Sequence, residues 1–200
     1  MDSHAQEQKL HPLKTYSAKY KIEGNVEGEK IQYSKDWGRT ICWKEVSEIT
    51  MANVGSIKKN EKIITLIDNG EQWIYTINLD DNTGTKMKNP MFGEIYKSMQ
   101  GRDPKEFSEE FMTGMGGKVT GETVVNGEKC KEWELKGGAR ACVTEDLITV
   151  ESSVDTAGVS IKETAVEVKR NASEPGDICK IGNAKITETD MRELMKQNQP

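Results

Sequence analysis

Apolar and polar residues alternate one by one along most of this chain. Over 15–23, Tyr16, Ala18, Tyr20 and Ile22 share one side and Lys19, Lys21 and Glu23 the other. That is the period of a half-buried strand. Residues 29–37 repeat it, with Ile31, Tyr33 and Trp37 against Lys30, Gln32 and Asp36, and 39–48 continue it with Ile41 and Trp43. Two apolar runs, 63–68 and 71–79, flank Asn69-Gly70, a pair that supplies the positive φ angles of a tight hairpin turn. Trp73, Tyr75, Ile77 and Leu79 share a face there.

After Asp80-Asp81-Asn82-Thr83-Gly84, read as a turn, the period changes to that of a helix. Asn89 stands as an N-cap before Pro90, with proline at the first helical position. Met91, Phe92, Ile95, Tyr96 and Met99 follow as a stripe that Gly101 ends. Asp103-Pro104 opens a second helix, with Glu106 placed for a capping box. Phe107, Phe111 and Met115 recur every four residues before a run of glycines. Strands resume over 118–125, 128–136, 139–144, 147–154 and 159–170, and 187–190 followed by MRELMKQ reads as a capped C-terminal helix.

The order is meander, two helices, meander, with no strand–helix–strand alternation to support a parallel sheet. An antiparallel sheet this long curls. The expected fold is therefore mainly β (α+β): a strongly curved antiparallel sheet or half-open β-barrel, with residues 90–115 helical across its concave side. Residues 1–13 read as a loose arm and 14–200 as one domain with a C-terminal helix.

Composition alters this picture little. The 200 residues are 34% hydrophobic with a mean hydropathy of −0.71, as strands with a solvated face are by construction. The 33 acidic and 28 basic residues are interspersed, for a net charge of −5, and no basic block suggests nucleic acid. No apolar run approaches the ~18 residues of a membrane-crossing helix. The two histidines, His4 and His11, both fall in the expected arm, which argues against histidine-dependent acid–base or triad chemistry. Glu132 and Glu134 share a strand face opposite Trp133 and Leu135, and that places them on the solvent side. No metal or cofactor motif is present, and the chain is read as not an enzyme.

A family resemblance is carried by YSAKYKIEG, GEKIQYSKDWGRT, IITLIDNGEQWIYTINLDDNTGTK, and VVNGEKCKEWEL followed by ACV. Over roughly residues 13–170 the chain resembles the lipoprotein-carrier (LolA/LolB-like) superfamily of bacterial envelopes. The resemblance implies a half-open antiparallel barrel around helices that plug its mouth, and a cavity for acyl chains. In the carriers an arginine helps hold the closed state, and none of Arg39, Arg102, Arg140 and Arg170 is assigned as its counterpart.

On this reading the function is non-catalytic binding or carriage of a lipid or other apolar ligand in the bacterial cell envelope. The location is periplasmic or envelope-associated, in a mature form without its leader, and an envelope protein is a further partner. The alternative is a structural or protein-interaction module with a packed core. If a cavity exists, its candidate lining is Tyr20, Tyr33, Trp43, Trp73, Tyr75, Phe107 and Phe111, with Trp43, Trp73 and Tyr75 pointing toward the two phenylalanines. Tyr16 and Trp133 complete the strand aromatics, and Met91, Met99, Met112 and Met115 offer a deformable lid or ordinary core.

Of the four cysteines, Cys130 and Cys142 flank one hairpin and are expected to be disulfide-linked, in an oxidising compartment. A two-residue turn at Gly137-Gly138 would set Cys142 opposite Trp133. The bond then requires a wider loop centred near Lys136, or a bulge, to bring the Cα atoms within about 7 Å. Cys42 and Cys179 can pair too, and four reduced thiols in a cytosolic protein are the rival.

Overall fold

A computed structural model describes residues 8–51, 55–156 and 158–190. The first meander comprises β1 (Tyr16–Gly24), β2 (Val26–Lys35), β3 (Thr40–Met51), β4 (Gly55–Asp68), β5 (Glu71–Asn78) and β6 (Thr83–Lys88). Helices α1 (Phe92–Met99) and α2 (Pro104–Gly114) follow. The second meander is β7 (Lys118–Val125), β8 (Glu128–Glu134), β9 (Ala139–Thr144), β10 (Thr149–Thr156) and β11 (Val159–Arg170), and β12 (Lys185–Glu188) comes last.

All twelve strands form one open sheet in the order β12-β6-β5-β4-β3-β2-β1-β11-β10-β9-β8-β7. The first strand lies mid-sheet and joins the two meanders by pairing with both β2 and β11. The helices thus connect β6, one strand from one edge, to β7, the other edge. The sheet bends sharply on the β7 side. In a flat sheet β8 and β11 would stand about 14 Å apart, three spacings of ~4.8 Å. Yet Asn126, in the β7–β8 turn, donates its side-chain amide to the carbonyl of Ala165 on β11 at 2.7 Å.

Two elements differ from the sequence reading. The turn at 80–82 stands, but its expected last residues, Thr83 and Gly84, open a strand, β6, and the residues read as the cap of a C-terminal helix fall at β12. That helix would begin at Met191, outside the described residues. β12 also pairs with β6 in parallel, so the sheet is not wholly antiparallel. The physical reason is the route of the chain. After β11, in mid-sheet, residues 171–184 cross one face of the first meander and arrive at its far edge running alongside β6.

This crossing segment is a strap. Ile178, Cys179, Ile181, Ala184 and Ile186 pack on Tyr33, Cys42, Ile64 and Ile77 of the sheet, with Leu66 and Tyr75 against them. The Cys42–Cys179 disulfide pins it, with Cα atoms 5.3 Å apart. Glu174 accepts from the Cys179 amide at 2.9 Å, and Lys62 donates to the carbonyl of Lys180. A second core gathers Tyr16, Ala18, Tyr20, Cys130, Cys142, Ile148, Val150 and Ala165.

Within the expected loose arm, residues 8–13 are docked. The Leu10 amide donates to Trp37 O at 2.9 Å, and Lys9 lies over the Trp37 ring. His11 is 8% exposed and stacks on Tyr16, with centroids 4.8 Å apart. Its Nδ1 accepts from the Leu13 amide at 3.1 Å. Burial lowers the His11 pKa from its ordinary 6.5, against opposing hydrogen bonds to Leu147 and Leu13 and the charge of Asp146. Below that ordinary value the unfolded chain takes up a proton that the native imidazole resists. Stability from this site is thus fully present above pH 6.5. It is expected to decline as the pH falls toward the native pKa, by up to about 1.4 kcal/mol per pH unit. Urea midpoints measured between about pH 5 and 7 check this. His11→Gln should flatten that part of the profile, and parallel profiles for the two proteins would contradict the assignment.

Candidate ligand-binding groove

The β8–β9 hairpin supplies the floor of a half-open groove of about 1010 Å³, and α2 supplies its roof. Trp133, 6% exposed, stands opposite Ala141, and Lys131 opposite Val143. Trp133, Ala141, Val143, Leu135 and Leu147 form the apolar part of the lining, and Met112 faces them from α2.

Local chemistry explains why α2 begins and ends where it does. Asp103 caps it, accepting from the amides of Lys105 and Glu106, and Pro104 opens it, as the sequence predicts. At the other end the Gly117 amide donates to Met112 O at 2.9 Å. A Cβ on Gly117 would lie 2.7 Å from that oxygen and 2.9 Å from Leu135 Cδ2, so only glycine allows this close return of the chain.

No residue of α2 is buried. Phe107 and Phe111 stack on each other at 6.0 Å, and Phe111 remains 41% exposed. The helix is tied to the sheet side by ion pairs, Lys131–Glu109 and Lys105–Glu145 at 3.3 Å. Exposed pairs of this kind contribute about 0–1 kcal/mol each.

At one end of the groove Arg170 of β11 is held by two carboxylates. It donates to both oxygens of Glu128, at 3.0 and 2.7 Å, and through Nε to Asp146 at 2.5 Å. Burial pushes the Asp146 carboxyl up, but hydrogen bonds from Arg170 and Thr144 outweigh it and hold the pKa below the usual carboxylate value. The hydrogen bonds that Arg170 donates to Glu128 and then to Asp146 raise its own pKa. Among the described residues no cluster of histidine, cysteine or carboxylate side chains is arranged to hold a metal ion.

None of the seven aromatic candidates lines this groove, and the sheet separates them. Unbroken registers from β1 to β5 and the alternation of side chains set Tyr20 and Trp43 on one face, and Tyr33, Trp73 and Tyr75 on the other. Tyr33 and Tyr75 lie in the core beneath the strap. Lys86 lies over the Trp73 ring at 4.0 Å, and Lys30 over the rings of Tyr20 and Trp43. Trp43, Trp73 and Tyr75 therefore do not converge on Phe107 and Phe111. Tyr20 belongs to the central core and also borders a second groove of about 960 Å³, with Ile31, Val46 and Val166. Of the lid methionines, Met112 lines the main groove, Met99 is buried, and Met91 and Met115 are exposed. Glu132 and Glu134 are solvent-exposed.

Cys130 and Cys142 are disulfide-bonded, with Cα atoms 5.3 Å apart, but not in the expected register. The loop is three residues centred on Gly137, closed by Leu135 N donating to Ala139 O at 2.8 Å. Cys142 therefore opposes Glu132, and Cys130 opposes Thr144. The bond runs diagonally between neighbouring strands, and the described chain has no free cysteine. No described helix is long and apolar enough to cross a membrane.

No family model matches the sequence, and no curated protein matches it. The structure is similar to that of an uncharacterized conserved protein from Thermus thermophilus, with a TM-score of 0.53 at 10% identity, over 89% of this chain and 92% of that one. PNGF-II superposes with a TM-score of 0.48 at 12% identity, over 92% of this chain but 33% of its own length. A β-barrel-like protein of the domain of unknown function DUF1849 from Brucella abortus gives 0.49 at 9% identity, over 81% of this chain and all (100%) of that one. At such identities the likeness to the Thermus protein concerns architecture alone.

Proposed function

We propose that this protein binds or carries a lipid or other apolar ligand, without catalysis, in the groove beneath α2. The observation that carries this reading is the pairing of a roomy apolar floor with a roof helix that buries none of its own residues. A volume near 1010 Å³ matches the upper range of small-molecule sites, about 300–1,000 Å³. Met112 suits a roof that adapts to irregular apolar shapes.

The setting is proposed to be the bacterial cell envelope. Its support is the two disulfides, which persist in oxidising compartments and are rare in the cytosol. A second reading, a protein-interaction module, is favoured by β7. This edge strand leaves Val119 and Val124 exposed at 50% and 63%, where an extended segment of an envelope partner could add to the sheet. Native mass spectrometry of detergent-free protein tests the first reading. A bound species released on collisional activation, and absent from the Trp133→Ala variant, is expected. Bare protein under all conditions would favour the edge-strand reading instead.

A further inference from the structure

The cations around the groove are already engaged. Lys105 pairs with Glu145, Lys129 with Glu122 at 2.8 Å, and Lys131 with Glu109. Arg170, the cation best suited to grip a carboxylate or phosphate in bidentate fashion, directs Nη1, Nη2 and Nε to Glu128 and Asp146. Six carboxylates and four cations line the groove, an excess of two negative charges. The two carboxylates on Arg170 are the more sheltered ones, with side chains 23% and 21% exposed, so their field is less screened than that of charges at the rim.

An anionic head group entering here would have to displace a carboxylate from a cation or sit in a negative potential. A cationic one meets that potential favourably and breaks no pair. Building on the ligand reading above, we infer that the groove selects amphiphiles with a cationic head group, the chain on Trp133 and Val143 and the head toward the Glu128–Asp146 end, and rejects anionic ones. Charge complementarity identifies the occupant, since the apolar floor by itself accepts any chain.

The test is a titration of the full chain with three dodecyl probes below their micelle concentrations: dodecyltrimethylammonium, dodecyl maltoside and dodecanoate. At low ionic strength the ammonium probe is expected to bind at least about tenfold more tightly than dodecanoate, with the maltoside between. The ratio should shrink as salt is raised. Glu128→Gln, which frees one arm of Arg170, should narrow the ratio by improving dodecanoate binding. Glu145→Gln, at a side chain 94% exposed, should narrow it in the same direction without risk to folding. Dodecanoate binding as tightly as the ammonium probe, or a ratio unmoved by salt and by both variants, overturns the charge selection while leaving the ligand reading intact. Failure of all three probes to bind overturns that reading and this inference with it.

Discussion

Replacing Cys42 and Cys179 together by alanine is expected to lower stability by about 2–5 kcal/mol, the largest effect of any substitution outside the central core. The bond joins residues 137 apart in sequence, and the chain-entropy estimate for a loop of that size is about 5 kcal/mol. The enthalpic side points the same way. Cys42 is wholly buried, and its partner holds Ile178 and Ile181 on the sheet. Without the staple the strap should open below the global unfolding transition, taking β12 off the edge of β6. Amide exchange at residues 185–188 should rise well before that of β1, in keeping with local opening at low-stability elements. Loss of the Cys130–Cys142 bond, separated by 12 residues, is expected to cost nearer 3 kcal/mol by the same estimate. A loss under about 1 kcal/mol for the Cys42–Cys179 pair would show that packing alone seats the strap.

Trp133→Ala is the second large effect. The indole is 6% exposed and lies between Val119 of β7 and Ala141 of β9, yet one side of it faces the groove. Truncating a buried tryptophan costs about 3–5 kcal/mol. The open side places this site near the lower end of that range, measured by urea denaturation. Affinity for a neutral apolar probe should fall at least about tenfold, because Trp133 is the largest apolar side chain in the groove lining. Trp133→Phe should recover most of the stability and part of the binding. Unchanged probe affinity in the alanine variant would place the ligand elsewhere.

Much of the fold is legible in the sequence because local signals act locally. β7, β9 and β11 begin and end where alternation and Gly- or Asn-Gly breaks place them, and the Asp103-Pro104 cap locates α2. β6 and β12 are not legible. TGTKMK and KITE carry little apolar alternation, and they are strands because an edge was available to pair with. The polar first half of β4, GSIKKNEK, is likewise a strand through its pairing with β3.

The aromatic set shows the same limit. The Asn69-Gly70 turn fixes Leu66 opposite Trp73, and this can be read from the sequence. The phase of Trp43 relative to Ile63 depends on a β3–β4 connection with no turn signature. Hence Trp43 and Trp73, alike on paper, end on opposite faces. Met112 and Trp133 stand out in the sequence as a helical methionine and a strand aromatic, but nothing local marks them as facing each other. The Arg170–Glu128–Asp146 cluster draws on three separate elements and has no sequence signal.

The central claim is that an apolar ligand lies between α2 and the β8–β9 hairpin. Methionine-methyl NMR tests it most directly, because Met112 lines the groove while Met91 and Met115 are 69% and 51% exposed away from its lining. Titration with dodecyl maltoside below its micelle concentration should shift the Met112 methyl saturably and leave Met91 and Met115 in place. A Met112 signal that never moves, or shifts confined to Met91 and Met115, would contradict the account.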